Sequence, residues 1–145
     1  MKYILILFFV TKTFLSFSQK ENDLGQLIND WKVVAKLDST GNFKALKNGE
    51  FRFNFYLKLD STVNFSEADQ QHGKNMKGTW SINMTDKILR FHFTELVREG
   101  LEDYSSIPIQ ETRAFKISKI NIYELVLTQL EDSVKRTYFL KHINL

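Results

Sequence analysis

The sequence predicts an all-β chain: an eight-stranded antiparallel up-and-down barrel preceded by a short N-terminal helix. Three observations predict it. Apolar and polar residues alternate with a period of two in run after run, as the pleat of a strand requires. The runs are five to ten residues long and are joined mostly by short polar turns. No helical segments alternate with them, which argues against a parallel sheet built from strand–helix–strand units. A sandwich or a curved meander would fit the same pattern, but sequential hairpins favour closure, since a closed sheet has no exposed edges.

Residues 1–18, MKYILILFFVTKTFLSFS, have the layout of a secretory signal peptide. Lys2 is the positive start, residues 3–10 are the apolar stretch, and Ser16 and Ser18 take the small-residue positions before a cut at Gln19. The apolar stretch is well short of the roughly 20 residues that span a bilayer. Export is therefore expected, as a periplasmic or secreted protein with no membrane span after leader removal. Residues 19–145 form one domain by length. Lys2 and Lys12 lie in the leader, so its loss lowers the formal charge of +3 to about +1.

Residues 21–30 place Leu24, Leu27 and Ile28 at helical spacing and suggest a short amphipathic turn or helix. Trp31 opens the first strand, residues 31–37. Gly, Asn, Asp and Ser punctuate 38–49, which reads as a loop. Residues 50–59 give the cleanest alternation, with Phe51, Phe53, Phe55, Leu57 and Leu59 on one face. A third strand covers 62–66, and 67–75 reads as a polar loop.

The hairpin at 76–95 organises the rest. Trp80, Ile82 and Met84 share a face in its first arm, and Leu89, Phe91 and Phe93 in its second. Residues 96–109, with the single proline Pro108, leave a long strand connection, a small helix or a lid open. Strands follow at 112–119, 122–130 and 134–143, the last placing Val134, Arg136, Tyr138 and Leu140 on one face. Thirteen phenylalanines and no cysteine mean that a core, not disulfides, must hold the domain together.

Function classes narrow by elimination. The three histidines, His72, His92 and His142, lack metal-site spacing, and no cofactor or metal is expected. Asp38-Ser39-Thr40-Gly41 is a turn, not half of an aspartic-protease dyad, because no second copy exists to pair with it. Nucleophile-elbow and phosphate-loop patterns are absent, so no catalytic residues are assigned. No basic block interleaved with aromatics marks a nucleic-acid surface. The Phe and Trp faces leave two readings open, a filled core or the lining of an apolar cavity.

Trp31-Lys32-Val33-Val34 after a helical turn, Gly78-Thr79-Trp80 in the fourth strand and Arg136-Thr137-Tyr138 near the end resemble the lipocalin and fatty-acid-binding (calycin) group. The likeness is to its small lipocalin-like domains in exported bacterial proteins. Departures are visible: Asn29-Asp30-Trp31 stands where the family has Gly-x-Trp, and 38–49 is too short for a helical lid pair. The resemblance implies that Trp31 plugs one end and that Arg136 with Tyr138 meets a bound carboxylate. The expected ligand-lining set is Phe53, Phe55, Trp80, Phe91, Arg136 and Tyr138. The function it implies is non-catalytic binding of a small hydrophobic or fatty-acid-like ligand in the barrel. The alternative is a cell-envelope interaction or structural module with a filled interior; its protein partner is unknown.

Overall fold

The computed structural model describes residues 25–38, 40–47, 50–68, 73–99, 104–130 and 135–143. The leader and the start of the expected helix lie outside them; what is described of that helix is one helical turn at 25–27. Nine strands follow: β1 (Asp30–Leu37), β2 (Phe43–Ala45), β3 (Arg52–Leu57), β4 (Thr62–Ala68), β5 (Gly73–Asn83), β6 (Ile88–Glu99), β7 (Tyr104–Ile120), β8 (Glu124–Gln129) and β9 (Thr137–His142).

They form one antiparallel sheet in which, apart from β2 and β3, chain neighbours are sheet neighbours, and β9 pairs back onto β1. The sheet is thus a ring. One edge of β1 pairs with β9 from Trp31 to Lys36. The other edge is shared, residues 30–32 pairing with β3 and 35–37 with β2. A strand has only two edges, so β2 and β3 lie end to end along the same side of β1.

Four expectations change. There are nine strands, not eight, because the loop read at 38–49 contains β2; all three of its residues are exposed, so no alternation betrayed it. The open segment 96–109 lengthens β6 and β7, which pair from Val97↔Ser106 out to Glu99↔Tyr104. The polar loop read at 67–75 is shorter, since β4 runs to Ala68 and β5 starts at Gly73. The inward face of β3 is also shorter than its alternation: Phe51 is 39% and Leu59 83% exposed, both lying outside the strand.

Inside the ring the buried faces meet. Phe55 of β3 packs edge-on to Phe91 of β6 at 5.0 Å, and Phe53 lies 6.3 Å from Phe115 of β7. Phe65 of β4 is 5.3 Å from Phe93 of β6. These are strands that do not pair, so the aromatic rings bridge the interior and fill it. Each buried Phe contributes about 1.5–3 kcal/mol by area, and favourable ring pairs add about 0.5–1.5 kcal/mol.

One end of the ring is sealed. Leu27 and Trp31 are wholly buried there, and the Trp31 indole N–H donates to the Leu27 carbonyl at 3.1 Å. His142 packs edge-on to Trp31 at 5.9 Å and bonds Asn29 at 2.7 Å, tying the helical turn to the closing strand.

Gly78 sits at the irregularity where β5 pairs with β6. A Cβ there would overlap the His92 carbonyl oxygen and come within 2.7 Å of the Phe93 Cα. Both are backbone atoms and cannot swing aside. We expect Gly78→Ala to lower the unfolding free energy by roughly 2–4 kcal/mol. Urea denaturation checks this, and an unchanged midpoint contradicts the close approach.

Candidate binding cavity at the open end

The inward phase does not stop where the phenylalanines stop. Cross-strand partners share a face, so Glu67 faces inward with Phe53, Lys74 with Glu67, Arg113 with Phe91 and Glu111 with Phe93. The topology therefore brings four charged side chains together above the aromatic core, at the end away from Trp31.

Arg113 is their centre. Its Nη1 donates to Glu67 Oε2 at 2.6 Å, while Nε and Nη2 donate to Glu111 Oε1 at 2.8 and 2.6 Å. Lys74 Nζ donates to Glu111 Oε2 at 2.7 Å and stands 4.0 Å from Glu67 Oε1. The guanidinium also lies over Phe65 at 4.9 Å and Phe93 at 5.7 Å. Cation–π attraction thus joins the charge layer to the core below.

Arg113 and Glu67 are 17% and 14% exposed as side chains, so the pair is largely withdrawn from water. Burial works to lower the Arg113 pKa, but the Glu67 and Glu111 carboxylates outweigh it and hold the guanidinium above its ordinary value. Burial likewise pushes Glu111 upward. Its bonds to Lys74 and Arg113, with their charges, overcome this and leave it below the usual carboxylate range.

Beside this layer opens a cavity of about 390 Å³. Phe51, Phe53, Phe115 and Tyr138 supply its aromatic wall; Glu67, Glu111, Thr112, Arg113, Gln129 and Arg136 supply the polar one. The volume falls in the lower part of the usual small-molecule range. The Tyr138 hydroxyl reaches Gln129 Oε1 at 3.4 Å, holding both at the wall.

Of the residues expected to line a ligand, Phe53, Arg136 and Tyr138 are on this cavity. Phe55 and Phe91 are not; both are fully buried in the filled interior. Trp80 is not either. It lies toward the sealed end, near the β5–β6 turn, where its indole N–H donates to the Lys58 carbonyl at 3.0 Å. Sequence reasoning passed over Glu67, Glu111 and Arg113. The signal was there: Glu67 is in phase with Phe65, and Glu111 and Arg113 with Phe115.

Among the described residues no group of three His, Cys, Asp or Glu could hold a metal ion, and no helix is long and apolar enough to cross a membrane. A scan against protein-family models and a search of curated proteins found no match for the chain.

The lowered Glu111 pKa has a consequence for stability. Its contribution is fully present above the ordinary value of about 4.5 and is lost as pH falls through the depressed folded value. Glu111→Gln should therefore be less stable than the parent near neutrality, with the gap narrowing on acidification below about pH 4.5. Denaturation midpoints of both proteins across that range test it. A gap that stays constant with pH would show that the carboxylate charge is not what matters.

Proposed function

We propose that the chain is an exported, lipocalin-like β-barrel that binds a small ligand at its open end and performs no chemistry on it. The observation that carries this reading is the cavity of about 390 Å³, aromatic on one side and polar on the other, at the end opposite the buried Trp31. Support for the barrel comes from the meandering strand order and the β1–β9 pairing. Trp31 beneath a helical turn supports the lipocalin-like comparison. A binder is favoured over an enzyme because the charged groups are committed to one another: Arg113 to two carboxylates, and Glu111 to two cations.

The filled interior favours a second reading, a cell-envelope interaction module without a small-molecule ligand. Native mass spectrometry of protein purified from its own host separates the two. A reproducible adduct of small-molecule mass supports the carrier, and a bare polypeptide on repeated preparation supports the module. The same sample tests export. N-terminal sequencing should begin at Gln19, and an intact Met1 on the extracytoplasmic protein would contradict the leader reading.

A further inference from the structure

The ligand's chemistry can be taken further, on the footing of the carrier reading. A fatty-acid-like ligand needs an apolar channel for its chain and a cation left over for its head. The cavity offers neither. Below it, Phe53 stacks on Phe65 at 5.3 Å and meets the Tyr138 ring at 4.8 Å, so the axis is blocked by aromatic side chains. On its polar wall, the carboxylates of Glu67 and Glu111 are bonded to the Arg113 guanidinium, and Arg136 on the same lining is itself engaged. An incoming carboxylate would face two others.

What the wall does offer is a fixed pattern of donors and acceptors. A guanidinium has five N–H donors. Three of those on Arg113 serve Glu67 and Glu111, which leaves two uncommitted on a side chain that lines the cavity. Gln129, inward in phase with Leu127, adds an amide that can both give and accept. On the aromatic side Phe51 is 39% exposed, while Phe53 and Tyr138 are nearly buried.

We infer that the open-end cavity takes a small ring compound, uncharged overall, with a face that stacks on Phe51 and hydrogen-bonding groups around its edge. A nucleobase-type heterocycle and a pyranose sugar share this chemistry. Both are short enough to sit above the blocked axis.

Isothermal titration of the full-length mature protein with adenine, methyl glucoside and palmitate provides the test. Saturable binding of adenine or of the glucoside, with palmitate silent, is the expected result, and the arm that responds identifies the source. Phe51→Ala removes a stacking face at a partly exposed position and should weaken that binding on the order of tenfold. Gln129→Leu, which removes the amide on the lining, is the second variant and should weaken it by several-fold. Binding of palmitate alone overturns the inference and leaves the carrier reading standing. Silence of all three probes, in protein shown to be folded by circular dichroism, overturns the inference. A small-molecule adduct in the native spectrum would still keep the carrier reading alive. Unchanged affinity in both variants places the ligand elsewhere and also overturns it.

Discussion

Closure of the sheet through β1 is the constraint on which the rest depends. This strand gives one edge to β9 and divides the other between β2 and β3. The irregularity between Val33 and Ala35 lets it turn far enough to serve all three, since a bulge bends its strand and increases the local twist. Were β9 not to return, β1 and β9 would each present an unpaired edge, and the aromatic faces would lose their opposite wall. Trp31 and His142, directly paired across the seam, fasten the join from the side-chain layer. The helical turn then has a fixed surface to sit on.

Closure also makes the two ends unequal. Toward Trp31 the inward positions remain apolar, and Leu27 drops from the helical turn to complete the seal. Toward the other end they change character one residue pair at a time. Phe55↔Phe65 is followed by Phe53↔Glu67, and Phe91↔Arg113 by Phe93↔Glu111. Arg113 mediates this change. Its planar cation lies over two rings of the core and reaches two carboxylates above them, so apolar and charged layers share one side chain.

Much of the fold was legible because its strands are amphipathic. Eight of the nine overlap the period-two runs, with β5, β6 and β7 extending past them, and the hairpin turn before Ile88 falls at Lys87, whose positive φ of 53° supplies the reversal. β2 was illegible for a physical reason. Its three residues are all exposed and its place is set by pairing with β1, so no burial pattern was written into it. The site was half legible. Phe53 and Tyr138 follow from the apolar phase, but the Arg sought was Arg136, because a family likeness pointed there. Arg113 was hidden by its own polarity: a charged residue in an alternating run is assigned outward unless its phase is followed past the last Phe.

That phase also bears on why the charges are there at all. Ion pairs withdrawn from water bring little net stability, since desolvation offsets attraction, and apolar residues of similar volume often serve a fold as well or better. A chain with thirteen phenylalanines had an obvious apolar filling for these positions. Another Phe layer would have closed this end as Leu27 and Trp31 close the other. The Lys74–Glu67–Arg113–Glu111 layer instead leaves a polar wall whose side chains are fixed by their own bonds before anything arrives. Such pre-ordered groups lose little rotamer freedom when a ligand binds, which is how a shallow cavity gains affinity without more area. The arrangement is costly for a core and useful for a recognition surface, and that contrast is the strongest physical reason to look for a ligand at this end.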